Sequence, residues 1–187
     1  GGTLDTEGTG AMRSAFAAEF NGATLGPLTN LGVFEVTDGT TLYTTGEIVN
    51  QGIIFVRSLG AATYLAPYGG ATTLTGGGDV ALDGSVSDLN TVATSDGGSL
   101  TNVDNWIYGA GTIGSTTTTI HNLGSIGGQT ASAPLVIVPH STSGFHNDGL
   151  LRADAGGTLQ LNHGSYDNTD GEIVAFDDSN VLVMLTA

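Results

Sequence analysis

Short runs in which apolar and polar residues alternate recur along the whole chain. Val33 and Val36, Leu159 and Leu161, and the segment 181–185 are examples. β-branched residues dominate these runs, and Gly or Asp-Gly separates them, as in strands joined by tight turns. The pattern therefore predicts an all-β protein with at most one short helix.

One segment near the start fits two periods. Met12, Phe16 and Phe20 recur at every fourth position, which suits both a strand and a helix. Leu4 and Leu25 stand one repeat apart on either side of this segment. We therefore interpret it as strand.

A short phrase built on Asn-x-Gly repeats through the chain. Its copies begin at Asn30, Asn50, Asn122, Asn147 and, with one inserted residue, Asn168, and they contain Gly32, Gly52, Gly124, Gly149 and Gly171. The steps from Asn30 to Asn50 and from Asn147 to Asn168 are nearly equal. Their length of about 20 residues is a period typical of solenoids. We expect Gly149 and Gly171 to lie in tight turns, some of them with positive φ.

A second phrase, Gly-x-Thr-Leu, follows at a fixed distance. The sequence separation between Asn30 and Leu42 is the same as that between Asn147 and Leu159. This equal spacing predicts that Leu42 and Leu159 share one register, with both side chains pointing inward into columns of stacked core residues.

A coil of about 20 residues cannot enclose a core alone, whereas stacked coils can. Residues 1–187 are therefore interpreted as one parallel β-solenoid segment of eight or nine coils, with rungs about 4.8 Å apart. The recurrent asparagines are expected to stack, each amide bridging to the next rung. Residues 79–96 and 128–146 fit the repeat poorly and are interpreted as lateral loops.

Two stretches, residues 100–114 and 147–173, resemble a recurring phrase of large bacterial surface proteins. They are similar to the Gly/Asn/Thr-rich repeats of filamentous-haemagglutinin-like adhesins and autotransporter passengers. The resemblance implies a right-handed parallel β-helix that is extracellular or on the bacterial cell surface. It carries no catalytic residues over, because such repeats share none.

The composition of the chain limits the classes of molecule that it is expected to bind. The chain carries a net charge of −15 with only three Arg and no Lys, which disfavours nucleic acid and anionic membranes. No apolar run reaches the ~18 residues of a membrane span. There is no Cys, which excludes disulfides, thiolate metal sites and cysteine nucleophiles. We expect no cofactor, no membrane insertion and no nucleic-acid partner.

The Gly-x-Gly-x-x-Gly at residues 109–114 matches a dinucleotide fingerprint but lies in the repeat, before a β-forming run of Ser and Thr. We interpret these glycines as structural.

Few other residues suggest chemistry. Asp79, Asp83 and Asp88 share one predicted loop and could approach one another, as could Asp148 and Asp154, and no complete calcium loop is visible. Removing divalent metals is therefore expected to leave stability nearly unchanged, although weak calcium binding in the acidic loops stays open.

Histidines and aromatic residues add two further candidates. The four His show no metal-ligand spacing, although His140 and His146 flank one loop. Trp106 and Tyr108 share one strand face, as sugar-stacking aromatics would, or else they pack on the core of the repeat or cover a loop.

Three functions remain. The first is a non-enzymatic structural or adhesive β-solenoid that binds a glycan or host-surface ligand. The second is the protomer of a self-assembling extracellular filament, and the third is a carbohydrate-active β-helix enzyme or phage-type spike. The chain opens inside a repeat at residues 1–4 and closes on an apolar run. From these ends we expect a piece of a longer chain or fibre that associates end to end.

Overall fold

The computed structural model describes residues 1–84, 89–93 and 96–184. Asp88 and Leu185 lie outside the described residues. The described chain is all-β, with these strands: β1 (Gly2–Leu4), β2 (Met12–Arg13), β3 (Ala18–Gly22), β4 (Leu28–Asn30), β5 (Val33–Val36), β6 (Thr41–Asn50), β7 (Ile53–Val56), β8 (Thr63–Thr75), β9 (Asp79–Leu82), β10 (Asn90–Val92), β11 (Ser99–Asn102), β12 (Trp106–Gly109), β13 (Gly111–Ile113), β14 (Thr119–Asn122), β15 (Ser125–Gly128), β16 (Leu135–Ile137), β17 (Phe145–Asn147), β18 (Leu150–Ala153), β19 (Thr158–Leu161), β20 (Tyr166–Asp167), β21 (Glu172–Ala175) and β22 (Asn180–Val183).

The strands pair in parallel and form three stacks, which we call faces 1, 2 and 3. Face 2 is the separate eight-stranded sheet, in the order β2-β5-β7-β9-β12-β15-β18-β21. Face 1 contains β1, β4, β11, β14, β17 and β20, and face 3 contains β3, β10, β13, β16, β19 and β22. The two faces are joined in one 14-stranded sheet, because the long strands β6 and β8 each continue from face 3 into face 1. The eight strands of face 2 are separated by seven turns of the chain. The fold is a parallel β-solenoid, as the repeat predicted.

Apolar side chains stack on their counterparts in neighbouring coils to form the core. The middle of face 2 contributes one column, whose members in chain order are Met12, Phe34, Ile54, Val80, Ile107, Ile126, Leu151 and Ile173. Members in the inner coils, such as Ile54 and Ile107, are 0% exposed. Burial of such a side chain contributes about 1.5–3 kcal/mol. Each coil is therefore held mainly by its two neighbours.

Leu42 and Leu159 both point into this core and are both 0% exposed, as predicted. The prediction that Leu42 and Leu159 share one register is wrong, however, because the two residues differ by two positions. Following the pairing from rung to rung, the counterpart of Leu42 is Leu161, whereas Leu159 stacks on Leu135. Side chains of a strand alternate with period two, so a shift of two positions keeps a leucine inside and changes only its column.

The prediction of two lateral loops is largely wrong. Residues 79–96 contain β9 and β10, and residues 128–146 contain the ends of β15 and β17 and all of β16. Leu135 and Ile137, which lie between two prolines, are 0% exposed and belong to the core. Coil length varies along the chain, so these segments miss the regular period while still supplying rungs.

Gly149 and Gly171 lie at corners that precede face 2 strands, and neither is among the residues with positive φ. Both positions must be glycine, because atoms of the neighbouring coil lie too close to leave room for a Cβ. A Cβ on Gly149 would collide with Gly124 O, and a Cβ on Gly171 would collide with the amide of Asn147. Both glycines lie between strands, as the turn prediction requires, but neither has the positive φ expected for some of them; the close approach of neighbouring coils is what excludes a side chain here. Gly156, in the turn before β19, does have positive φ, at 76°.

The two ends of the described chain differ from the middle. Met12 and Phe20 lie in β2 and β3, which confirms the strand interpretation, whereas Phe16 between them is 84% exposed. In the last coil, Ile173 and Val183 occupy core columns yet are 36% and 64% exposed. No helix of the described residues is long and apolar enough to cross a membrane.

Candidate functional site

The recurrent asparagines form an amide ladder at the corner between faces 1 and 2. Four of them end face 1 strands: Asn30, Asn50, Asn122 and Asn147 are each at most 1% exposed. Asn30 Nδ2 donates to Asn50 Oδ1 at 2.8 Å, and Asn122 Nδ2 donates to Asn147 Oδ1 at 2.7 Å. Asn147 Nδ2 in turn donates to Asn168 Oδ1 at 2.6 Å. The predicted ladder is confirmed.

The same amides satisfy the corner backbone. Asn147 Nδ2 lies 3.1 Å from Gly149 O, and Asn168 Nδ2 donates to Gly171 O at 3.1 Å. Asn30 and Asn122 make the same contact with the carbonyls of Gly32 and Gly124, whereas Asn50 Nδ2 donates to Asp79 O instead. The Asn-x-Gly phrase is thus one structural unit, in which the amide crosses to the next coil and also binds its own corner.

Two ladder members were missed by the sequence analysis. The coil after Asn50 has Gly76, Gly77 and Gly78 at this corner, and Asn50 Nδ2 donates instead to Asn105 Oδ1 at 2.9 Å. Asn102, three residues before Asn105, continues the ladder and donates to Asn122 Oδ1 at 2.9 Å.

Asn102 and Asn105 are both fully buried and linked to each other, since Asn105 N donates to Asn102 Oδ1 at 3.1 Å. The amide-to-amide bonds of the ladder all point from an earlier coil to a later one. At the start, Leu4 occupies the rung before Asn30, and the buried Asn30 Oδ1 has no hydrogen-bond partner among the described residues.

A groove of about 720 Å³ opens on the outer surface of face 3. Tyr43, Tyr64 and a row of threonines line it, and Asp96 is the one acidic residue among the described residues of its wall. Tyr64 lies in register with Thr41 on the rung before it. The Tyr43 ring stacks at 5.0 Å against the ring of Tyr68. The groove therefore combines flat aromatic surface with hydroxyl groups.

The aromatic pair on face 2 is used differently. Trp106 and Tyr108 lie on one face, as predicted, with their ring centroids 4.3 Å apart. The Arg152 guanidinium lies 4.4 Å above the Trp106 ring, a cation–π contact. Burial, followed by the charges of Asp79 and Asp83, raises the pKa of Tyr108. These two rings are therefore in contact with each other and, for Trp106, with Arg152.

Three of the acidic candidates that the structure describes, Asp83, Asp148 and Asp154, form ion pairs. Asp83 forms an ion pair with Arg57 at 2.9 Å, while burial raises the pKa of Asp79. Asp154 pairs with Arg152 at 2.9 Å, and Asp148 pairs with two histidines.

Glu35 forms ion pairs with two of the three arginines, with Arg13 at 2.8 Å and with Arg57 at 3.2 Å. The hydrogen bond from Arg13 is the main reason that the pKa of Glu35 lies below its ordinary value.

The glycine motif at 109–114 is structural. Gly109 ends β12, and Gly111 begins β13, so a strand rather than a helix follows the first glycines. Gly109, Gly111 and Gly114 all have positive φ, and a Cβ at any of them would collide with backbone of an adjacent coil. Residues 109–114, all of which the structure describes, do not supply the helix N-terminus that a pyrophosphate needs.

The histidines meet in a combination that the sequence analysis did not foresee. The His140 side chain contacts its own loop, where the backbone N–H of Ser143 donates to its Nδ1 at 3.1 Å. His146 instead stacks on His121, with ring centroids 4.6 Å apart, and both rings contact Asp148. A signal was present in the sequence: a His directly precedes each of the successive ladder residues Asn122 and Asn147.

No protein family model, curated protein or solved structure matches this chain. The fold and the contacts above are therefore the basis for a functional assignment.

Proposed function

We propose that this chain is a non-enzymatic structural and adhesive β-solenoid of a bacterial surface protein. Its cohesion comes from stacked apolar columns and neutral amides, which leaves the outer faces free for recognition. The resemblance of its repeats to those of filamentous-haemagglutinin-like adhesins supports an extracellular location.

The observation that carries the adhesive role is the groove on face 3. Tyrosine rings pack well against the apolar faces of pyranose rings, and rows of threonine hydroxyls can hydrogen-bond to sugar hydroxyls. Tyr64 is 37% exposed beside these threonines, so its ring is accessible. A neutral oligosaccharide suits the groove better than an acidic one, because the chain is strongly acidic and holds only three Arg.

A glycan array probed with the labelled full chain tests this role. We expect binding to neutral glycans, and we expect it to be lost in Tyr64→Ala. Tyr108→Ala is the matched control, because Tyr108 lies on face 2 outside the groove. Absence of glycan binding, or equal binding by both variants, would contradict the adhesive role. Protease treatment of intact cells of the source organism tests the surface location separately.

A second role, filament protomer, is favoured by the last coil. Ile173, Val183 and Phe176 expose apolar surface there, although Ile173 and Val183 continue core columns. The first coil of a second copy would place Met12 and Ala18 over the same two columns, since these residues begin them. End-to-end stacking would then bury both surfaces.

Sedimentation velocity and electron microscopy of the purified chain test this stacking. We expect rods longer than one chain at high concentration. Val183→Asp should return the chain to monomers, whereas Leu59→Asp, which changes an exposed leucine on a turn at the side of the rod, should not. A monomer at all concentrations would exclude the filament role and leave the adhesive role untouched.

A further inference from the structure

Three side chains on the outer surface of face 1 converge on one point. His121 in β14 and His146 in β17 are direct neighbours across adjacent rungs, and Asp148 lies at the corner just after β17. Asp148 Oδ2 lies 2.7 Å from His121 Nε2, and Asp148 Oδ1 lies 3.0 Å from His146 Nε2. Both imidazoles therefore present the same nitrogen to a single carboxylate.

The spacing of these atoms suits a small metal ion. One ligand atom from each residue lies within 4.8 Å of the other two. In a tetrahedral zinc site with bonds of about 2.0–2.2 Å, neighbouring ligand atoms are about 3.3 Å apart. His121 and His146 side chains are 35% and 47% exposed, so small rotations can close the remaining distance without moving the core.

A further carboxylate stands beside this group. Asp167 occupies the next rung after His146, and its Oδ2 lies 3.7 Å from His146 Nε2. Its other oxygen accepts hydrogen bonds from the backbone N–H and the hydroxyl of Thr169, which hold the carboxylate in place. The residues around His121 and His146 thus provide negative charge that favours a bound cation.

We propose that His121, His146 and Asp148 form a binding site for a first-row divalent transition metal ion such as Zn²⁺. Two imidazole nitrogens and one carboxylate oxygen are typical ligands for Zn²⁺, Cu²⁺ and Ni²⁺, whereas Ca²⁺ and Mg²⁺ prefer oxygen alone. Ligation uses the Nε2 lone pair of each ring, which places the ring proton on Nδ1. Three protein ligands leave a position open toward solvent.

The site would connect two successive coils across their outer surface. His121 lies on one rung, while His146 and Asp148 belong to the next. All three side chains lie on the outer surface, so the ion would add a link between coils without replacing any part of the core or the amide ladder. Bound Zn²⁺ adds stability through its preference for the folded chain.

Isothermal titration of the full chain with ZnCl₂, followed by thermal unfolding with and without the ion, tests the proposal. We expect one Zn²⁺ per chain and a rise in melting temperature that CaCl₂ and MgCl₂ do not reproduce. His146→Ala should weaken Zn²⁺ binding by about 100-fold or more, since loss of even an indirect supporting group costs about 10–100-fold. Without metal, the melting temperature of His146→Ala should match that of the unaltered chain, because the His146 side chain is half exposed.

His163→Ala is the matched control, because His163 is an exposed histidine on another corner of the rod. It should bind Zn²⁺ as the unaltered chain does. Three results would overturn the proposal: no stoichiometric binding, unchanged binding in His146→Ala, or equally tight binding of Ca²⁺. The last result would indicate general attraction to the acidic surface.

Discussion

Replacing Asn122 by alanine tests the amide ladder at its middle. Asn122 is 0% exposed, accepts from Asn102 Nδ2 at 2.9 Å and donates to Asn147 Oδ1 at 2.7 Å. Its Nδ2 also lies 3.3 Å from Gly124 O. The substitution removes all of these bonds together and divides the ladder into two parts.

The expected cost follows from which partners stay unpaired. Asn102 Nδ2 keeps its bond to Asn105 O at 2.9 Å, whereas Asn147 Oδ1 loses the donor that Asn122 provides. An unpaired buried acceptor costs about 1–3 kcal/mol, and each lost neutral hydrogen bond costs about 1 kcal/mol more. We therefore expect Asn122→Ala to lower the free energy of unfolding by about 3–5 kcal/mol.

Urea unfolding followed by tryptophan fluorescence measures this loss. The chain has one tryptophan, Trp106, and it lies in β12, which pairs with the strand that follows Asn122. Asn168→Ala is the control, because Asn168 is only partly buried at the last ladder position and water can replace its bonds. We expect the control to cost less than about 1 kcal/mol.

Equal small losses in both variants would refute the reasoning. That result would mean that the ladder follows from the packing of the coils and does not contribute to their cohesion. A large loss in Asn168→Ala alone would also contradict it, because the damage would then lie in the last corner rather than in the buried amides.

Three further predictions concern the core, the corners and charge. Leu159→Ala should cost about 2–5 kcal/mol in urea unfolding, whereas Leu182→Ala, on the exposed last strand, should cost less than about 1 kcal/mol. Gly149→Ala should lower the melting temperature more than Gly156→Ala, because only the first Cβ collides with a neighbouring coil, although the second residue has positive φ. Because its arginine partners hold the pKa of Glu35 below the ordinary 4.5, its charged form stabilises the fold fully above that pH. Glu35→Gln should therefore cost about 1 kcal/mol at pH 7, and this difference should disappear as the pH falls through the pKa of the folded state; a loss independent of pH would contradict it.

The strands and the ladder could be predicted because both repeat. Alternation of apolar residues identifies inward positions, and a buried amide that recurs from coil to coil needs a partner in the next coil. The column of Leu159 could not be predicted, since inward and outward positions do not change when a strand shifts by two positions. Asn102 and Asn105 were missed because the preceding coil replaces asparagine with glycines at 76–78.

The outer surface was less predictable than the core. The groove on face 3 forms from strands that are far apart in sequence, such as β6 and β13, and depends on the register between coils. His121 and His146 are distant in sequence and yet adjacent in space, because they occupy equivalent positions on paired strands. Once the ladder is recognised, the residues directly before Asn102, Asn122 and Asn147 can be assigned to one outward column. The histidine pair then follows.

The uniform direction of the ladder gives the rod an electrical polarity. Every amide-to-amide bond along it donates toward the later coil, so the dipoles add along the axis, with the positive ends toward the last coil. At the opposite end, Asn30 Oδ1 is an acceptor that receives no hydrogen bond from the described part of the chain. A copy added in reversed orientation would oppose its ladder dipoles to those of the first copy, whereas a copy added head to tail would keep them aligned. Growth by stacking would therefore proceed head to tail and give a fibre with two chemically different ends.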